Sequence, residues 1–262
     1  MRQLPGRFSA GPAVDGITLA LGAALIGIAI GLVGIGGVFL IPLLTGAGLP
    51  LEDAIGTSLL TFTATGIVAT AIYGRRGSID WRSAAYTSLG SIVGGPLGAR
   101  LSVWLPAGAV TMCFAFLLIV TGAATLRRSP ATERKAEKHL HLATLLASGV
   151  AVGVGSGLTG VGGPALLVPL LLLLGVSSSA AIGISQPNAI AASASGAVGH
   201  LMFGKIDVPL ACSLGVVAGA GVIFGALLHQ RFSGDSLRKI VGTACIVLGA
   251  WLSFQFIRRL GM

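Results

Sequence analysis

Long apolar stretches alternate with short polar connections along the whole chain. Eight apolar segments can be drawn, at about residues 14–44, 54–73, 83–104, 107–126, 142–174, 180–203, 208–229 and 240–257. A helix needs roughly 20 residues to cross a bilayer, so six of the segments fit a single crossing. The first and the fifth, of about 31 and 33 residues, are too long for one upright helix. Their length predicts a tilted or broken helix in each.

These two long segments share a glycine-rich motif. Residues 31–40, GLVGIGGVFL, and residues 157–166, GLTGVGGPAL, are identical at six of ten positions and lie 126 residues apart. Glycine costs a helix about 1 kcal/mol relative to alanine, and freed peptide groups inside a bilayer must find protein, water or a ligand. The motif therefore predicts a break in the first helix of each half, either within a single crossing or as a re-entrant hairpin.

The similarity continues beyond the glycines at a nearly constant spacing. The matching stretches are Pro42 and Pro169, residues 54–58 and 181–185, and residues 77–80 and 204–207. A constant offset over so long a stretch indicates duplication. We predict two four-helix halves, at residues 1–126 and 142–262, joined by a cytoplasmic linker at residues 127–141. Because four crossings return the chain to its starting side, we expect both halves to enter from the same side, with a symmetry axis along the membrane normal.

Composition narrows the class of protein. Of 262 residues, 54% are hydrophobic and 10% are charged, with a mean hydropathy of +0.93. The predicted fold class is an all-α membrane protein with eight transmembrane helices. The net charge of +9 is spread over short loops without an aromatic-lined stripe, so no nucleic acid partner is expected. The expected partners are the lipid bilayer and a small anion, and a homo-oligomer is left open.

The distribution of Lys and Arg among the loops predicts the orientation. With eight single crossings, thirteen of the seventeen basic residues fall on the side of the N-terminus. This bias predicts that both termini lie in the cytoplasm. The chain itself is expected in the inner membrane of the cell. The bias also favours the single broken crossing over the re-entrant hairpin, because hairpins would move the basic linker to the other side.

No residue pattern points to a metal, a cofactor or catalysis. Cys113, Cys212 and Cys245 lie within apolar runs and lack CxxC spacing, which is typical of buried apolar side chains. His200 has no metal-ligand partner nearby in sequence, although it is a candidate pH-sensitive gate. Because GxSxG and HExxH motifs are absent from the sequence, we predict neither enzyme activity nor a cofactor.

Together these motifs resemble the sulfite exporter TauE/SafE family. The resemblance rests on the doubled Gly-Leu-x-Gly-x-Gly-Gly, the Ala-Ile-Gly-Thr-Ser at residues 54–58, the Gly-x-Ile-Asp before the third segment and the duplication itself. It covers nearly the whole chain. The resemblance implies a transporter of small sulfur-containing oxyanions, exporting sulfite or an organosulfonate by alternating access. The alternative is an anion channel with the same pore lining.

An oxyanion in transit needs hydrogen-bond donors that replace its water without trapping it. Helix N-termini offer unpaired N–H groups and partial positive charge, and glycine lets the backbone come close. Pro164 suits the first turn of the second half-helix. Polar uncharged side chains on the second and sixth segments would complete the site. The predicted substrate-binding residues are Gly34, Gly36, Gly37, Thr57, Ser58, Thr159, Gly160, Gly162, Gly163, Ser185, Gln186 and Asn188.

Structural roles compete with binding at several positions. Close helix packing through small residues explains Gly31 and Gly157 better than binding does. The hydroxyl of Thr61 can bond to a carbonyl of its own helix instead of a substrate. Asp80 and Asp207 follow loop glycines and open apolar segments, which favours helix capping over proton coupling.

Overall fold

The computed structural model describes residues 16–33, 37–127, 140–202 and 206–228, with shorter pieces between residues 239 and 258. These residues form helices joined by short turns and include no β-strand, which confirms the predicted all-α class. The helices are α1 (Gly16–Val33), α2 (Leu40–Gly46), α3 (Leu51–Arg75), α4 (Trp81–Trp104), α5 (Ala107–Leu126), α6 (Leu142–Thr159), α7 (Gly163–Leu173), α8 (Ser178–Leu201) and α9 (Val208–Leu228). By length and composition, α3, α6 and α9 can each cross a membrane. The count of eight spans stays a prediction.

Large apolar side chains cover the outside of the bundle, whereas its interior holds amide, hydroxyl and imidazole groups. Val216 and Phe224 are 75% and 55% exposed, while Gln186, Asn188 and His200 are buried. An extended apolar surface is unfavourable in water and is stabilised by lipid. The surface therefore supports the membrane placement that the hydrophobic pattern indicates.

Two aspartates cap helices at the starts of α4 and α9. The Asp80 carboxylate accepts hydrogen bonds from the N–H groups of Arg82 at 3.1 Å and Ser83 at 3.3 Å. The Asp207 carboxylate accepts one from the N–H of Leu210 at 3.0 Å. All three bonds satisfy backbone donors that the first helical turn leaves unpaired. The predicted capping role is confirmed.

Glycines interrupt the second long segment as predicted. After α6 ends at Thr159, Gly160 and Gly162 adopt φ angles of +71° and +83°, a region that L side chains rarely enter. The helix resumes as α7 at Gly163, with Pro164 in its first turn, where proline needs no N–H acceptor.

In the first long segment, α1 ends at Val33 and helical structure resumes as a 3₁₀ turn at Gly37–Phe39, directly before α2. The three residues between Val33 and Gly37 lie outside the described residues.

The helix after each interruption folds back beside the helix before it. On α2, Leu43 packs against Gly22 of α1, where an added Cβ would lie 2.6 Å from the leucine Cδ2. On α7, Leu166 packs against Gly155 of α6 in the same manner, at 2.9 Å. Such contacts between sequentially distant residues require the chain to reverse. The single broken crossing favoured by the basic residues is therefore wrong, and the re-entrant hairpin is the arrangement adopted.

The reversal changes how the two halves are oriented. Gly66 of α3 lies against Ala189 and Ile190 of α8, whereas Leu59, earlier in α3, lies against Gly196, later in α8. As α3 advances, its contacts move backwards along α8, so the two helices are antiparallel. Because α3 and α8 occupy equivalent places in the duplication, the expected axis along the membrane normal is wrong. Each fold-back adds a change of direction that the hydrophobic pattern does not reveal.

Glycine seams hold α1 against α9 and α6 against α4. A Cβ added to Gly27 would overlap the backbone of Ala218, and one added to Gly31 would overlap the carbonyl of Val222. Close backbone approach of this kind is common between membrane helices. In the second seam, Gly153 and Gly157 meet the backbone of Ser91 and Gly95. The packing role predicted for Gly31 and Gly157 is confirmed.

Candidate functional site

The two glycine interruptions meet between α3 and α8. A Cβ built on Gly37 would lie 3.2 Å from the carbonyl oxygen of Val161. A Cβ built on Gly160 would lie 3.1 Å from Cδ1 of Ile41 on α2. Both interruptions flank Phe62, which lies near the middle of α3. Two motifs that are 126 residues apart in sequence therefore touch inside the bundle.

A small cavity of about 20 Å³ lies between the interruptions. Its walls come from α1, α3, α8, the two interruptions and the first turn of α7. Three predicted site residues line it: Gly37, Gly162 and Gln186. Its lining is mostly apolar with a few polar groups, as in small-ligand sites, and its volume suits about one water molecule.

The start of α7 faces this cavity. Gly162, Pro164 and Ala165 form part of the wall, and α7 is 11 residues long in all. Pro164 has no N–H and Ala165 already has a partner, so this wall offers the N–H of Gly162 and the partial positive charge of a helix start. This end of α7 can therefore favour a negatively charged guest in the cavity.

Phe62 packs against both interruptions and was not predicted as a site residue. Its ring lies 2.9 Å from where a Cβ of Gly37 would be and 3.1 Å from where a Cβ of Gly162 would be. The side chain is 4% exposed. At the spacing of 127 its counterpart is Ala189, which lines the same cavity. A large residue opposite a small one at matching positions is the signal that sequence reasoning could have used.

Thr65 also lines the cavity without having been predicted. Its hydroxyl donates to the carbonyl of Phe62 at 3.2 Å. Only the acceptor lone pairs of the oxygen therefore remain for the cavity, because a hydroxyl has one hydrogen. No sequence signal separates this threonine from the others on α3.

The four predicted hydroxyl residues are engaged in other hydrogen bonds, two between elements and two within their own helices. The Ser58 hydroxyl lies 2.8 Å from the carbonyl of Ile55 and 2.9 Å from that of Gly160, so it ties α3 to the second interruption. Thr57 accepts a bond from the N–H of Asp207 at 3.2 Å. The hydroxyls of Thr159 and Ser185 donate to the carbonyls of Gly155 and Ile182, at 2.6 Å and 2.8 Å. None of the four lines the cavity.

Thr61 bonds to its own helix, as the alternative interpretation predicts. Its hydroxyl lies 2.9 Å from the carbonyl of Thr57 and 3.3 Å from that of Ala211 on α9. The same group therefore also links α3 to α9.

Asn188 and Gly163 lie together behind the cavity wall. The Asn188 Nδ2 donates to the Ser91 hydroxyl oxygen at 2.7 Å. Its Oδ1 is buried, has no hydrogen-bond partner among the described residues, and would lie 2.8 Å from a Cβ on Gly163. The sequence prediction placed both residues in one site, and the structure brings them together at the start of α7.

Two predicted positions, Gly34 and Gly36, lie outside the described residues. His200, the candidate gate, lies at the end of α8, far along that helix from Gln186. Its Nε2 is 2.9 Å from the carbonyl oxygen of Gly157. The ring therefore anchors α8 to α6, and gating by it stays a prediction.

The described residues of the cavity wall are uncharged. The wall residues that the structure describes include no Asp, Glu, Lys or Arg, and no cluster of three His, Cys, Asp or Glu side chains is found within the described ranges. Any guest is held by backbone dipoles and neutral side chains.

Comparison with known proteins gives a consistent picture. A family model described as sulfite exporter TauE/SafE matches residues 19–252. The chain is 29% identical over 231 residues to the probable membrane transporter protein YdhB of Bacillus subtilis, covering 86% of this chain and 92% of that protein. It is 26% identical over 224 residues to YunE of the same organism, another probable membrane transporter protein, covering 79% and 82%.

A third relative comes from an archaeon. The chain is 23% identical over 244 residues to the probable membrane transporter protein MJ0441 of Methanocaldococcus jannaschii, covering 87% of this chain and 91% of that protein. No solved structure matches the chain.

Proposed function

The chain belongs to the sulfite exporter TauE/SafE family, and we propose that it carries a small sulfur-containing oxyanion, sulfite or an organosulfonate, out of the cell. The relatives described above are named as probable membrane transporters. A membrane transporter needs a small-molecule substrate and a place to hold it within the bundle.

One observation carries this proposal: the cavity between the two glycine interruptions, with the first turn of α7 in its wall. Backbone N–H groups at a helix start bind oxyanions without a basic side chain. Gly37 and Gly162 leave room for the guest because neither has a Cβ. A site without Lys or Arg holds an anion weakly, which favours release on the far side.

The antiparallel course of α3 and α8 supports alternating access. The contact of Gly27 with Ala218 has a counterpart in that of Gly153 with Ser91, at offsets of 126 and 127 residues. Transporters built from oppositely oriented repeats can exchange the conformations of the two repeats, which opens the shared site to one side and then to the other. The two glycine seams then form matching surfaces in the two halves.

The direction of the helices also revises the orientation. Arg75 and Arg76 at the end of α3 and Arg82 at the start of α4 lie at one end of the bundle, and Arg100 lies towards the other. The excess of arginine predicts that the first end faces the cytoplasm. Because α1, α3 and α9 run in parallel, the start of α1 then faces outwards. This reverses the cytoplasmic placement expected for that end.

Flux measurements in proteoliposomes test the function. Purified protein should transport sulfite or a sulfonate with saturable kinetics. Gly37→Leu fills the cavity beside Phe62 and should lower the flux at least about tenfold. Gly46→Leu is the matched control, because nothing lies within 4 Å of a Cβ at that exposed glycine. Flux that ignores Gly37→Leu would refute the site, and unitary currents would identify a channel instead.

A further inference from the structure

The orientation of the Gln186 amide is fixed by its neighbours. The Ser185 hydroxyl donates its only hydrogen to the carbonyl of Ile182 at 2.8 Å, so its oxygen can only accept from Gln186. Gln186 meets this need, because its Nε2 lies 3.3 Å from the Ser185 oxygen and 3.1 Å from the Ile182 carbonyl. The amide nitrogen is therefore occupied on the α8 side. The Oε1 atom is the end of the amide left for the cavity that Gln186 lines.

The Asn188 amide is oriented by the same logic. The Ser91 hydroxyl donates to the carbonyl of Gly149 at 2.8 Å, so it can only accept from the Asn188 Nδ2 at 2.7 Å. The Oδ1 of Asn188 is then directed towards Gly163 at the start of α7. It is buried without a partner among the described residues. A buried acceptor without a donor is unfavourable unless another molecule supplies one.

The side chains around the start of α7 thus offer acceptors rather than donors. Gln186 is 1% exposed and Asn188 is fully buried, and Thr65 has only lone pairs to offer the cavity. Donors come from the backbone at the start of α7. These lone pairs would repel the oxygens of a fully deprotonated oxyanion. An oxyanion that keeps an O–H group can instead donate a hydrogen bond to them.

The electrostatics of the described cavity wall also favour an oxyanion that keeps a proton. No Lys or Arg borders the cavity among the described residues, so only the partial charge of a helix start opposes the charge of the guest. The cost of desolvating an ion rises steeply with its charge, which favours a monoanion over a dianion. A cation would suit the acceptors but would meet the positive end of α7.

We propose that the substrate of this site is an oxyanion that carries one negative charge and one O–H group, as hydrogen sulfite does, and that Gln186 Oε1 accepts a hydrogen bond from that group. This rests on the proposed function and narrows its substrate class. Sulfonates, which have the same charge but no proton, should be poor substrates.

The test compares sulfite with methanesulfonate in proteoliposomes across pH. At constant total sulfite, the flux should follow the hydrogen sulfite concentration and fall about tenfold per pH unit above its ionisation. Methanesulfonate keeps one charge throughout, so its flux reports any pH response of the protein itself. Protein-free liposomes correct for sulfur dioxide that crosses the lipid unaided. Flux that follows the sulfite dianion, or equal flux of methanesulfonate, would overturn the proposal.

A variant links the preference to the amide oxygen. Gln186→Met keeps length and removes the acceptor, so the preference for hydrogen sulfite over methanesulfonate should fall about tenfold. An unchanged preference would overturn the role of Gln186.

Thermal stabilisation of the purified protein provides a second readout that does not need transport. Hydrogen sulfite should raise the melting temperature more than methanesulfonate does, and less so in Gln186→Met. Stabilisation by sodium against choline, without any anion, would assign the acceptors to a cation and overturn the proposal. If no anion is carried or stabilises the protein, the proposed function itself fails.

Discussion

The side-chain nitrogen of Asn188 on α8 lies 2.7 Å from the hydroxyl oxygen of Ser91 on α4. That bond holds the amide so that its oxygen is directed towards the start of α7. Ser91 also bonds to the carbonyl of Gly149 on α6. One serine therefore joins three helices and orients a polar group beside the cavity.

Ser91→Ala should destabilise the fold by about 1–3 kcal/mol, because it leaves the buried Asn188 Nδ2 unpaired. The melting temperature in detergent measures this. Ser213→Ala is the control, since that serine is exposed and bonds only to the carbonyl of Leu210 in its own helix. Equal stability of the two variants would contradict the proposed orientation of the amide.

The glycine seam between α1 and α9 predicts different effects at two glycines of one helix. Gly221→Ala forces a Cβ to within 2.5 Å of the carbonyl oxygen of Ala24 and should cost about 1–3 kcal/mol of stability. Gly219→Ala puts its Cβ 3.5 Å from Val68, an ordinary contact, and should be neutral or stabilise α9 by up to about 1 kcal/mol. Thermal melts of both variants measure this difference in stability. A Gly221→Ala protein as stable as the wild type would contradict the packing.

The antiparallel course of α3 and α8 predicts that the ends of these helices face opposite sides of the membrane. Single cysteines in a version without Cys113, Cys212 and Cys245 test this. In intact cells, Met202→Cys at the end of α8 should react with a membrane-impermeant maleimide. Arg75→Cys at the end of α3 should react only after permeabilisation. Labelling of both positions from one side would restore the parallel arrangement expected from the hydrophobic pattern.

The positive φ of Gly162 predicts a combined loss of stability and transport. Gly162→Ala should cost about 1–3 kcal/mol for the positive-φ backbone and should also lower flux, because the new methyl group meets the Phe62 ring. Gly48→Ala carries the same kind of strain at φ +95° with nothing within 4 Å. It should lose similar stability and keep its flux. If both variants transport equally well, Gly162 does not belong to the site.

Much of this architecture follows from local sequence. The helices, the capping aspartates and the packing glycines have signals within a few residues. The proximity of the interruptions follows less directly, since only their duplication hints at it. Gln186 was predicted because an amide within an apolar run is costly, and the cavity contains it. Ser58 and Ser185 were predicted on the same grounds, but their hydroxyls bond to carbonyls nearby.

The fold-backs of α2 and α7 were one of two arrangements left open by the sequence, and they were not favoured, for a physical reason. An apolar run indicates that a segment is buried in lipid or protein. It does not indicate in which direction the segment crosses the membrane or whether it turns back. A glycine-rich break permits either a kink or a reversal, so the choice depends on contacts such as that of Leu43 with Gly22. The orientation predicted by counting basic residues on each side of the membrane therefore depends on which of the two arrangements is assumed.

In the native fold, α1 pairs with α9 and α6 pairs with α4. The interior of each half of the chain is therefore completed by a helix from the other half. Neither half would present a finished surface to lipid if it were synthesised alone, because its glycine grooves would stand open. A chain severed between α5 and α6 should consequently regain its native assembly only when both fragments are produced in one membrane. The two glycine seams thus make the native packing of each half depend on the other.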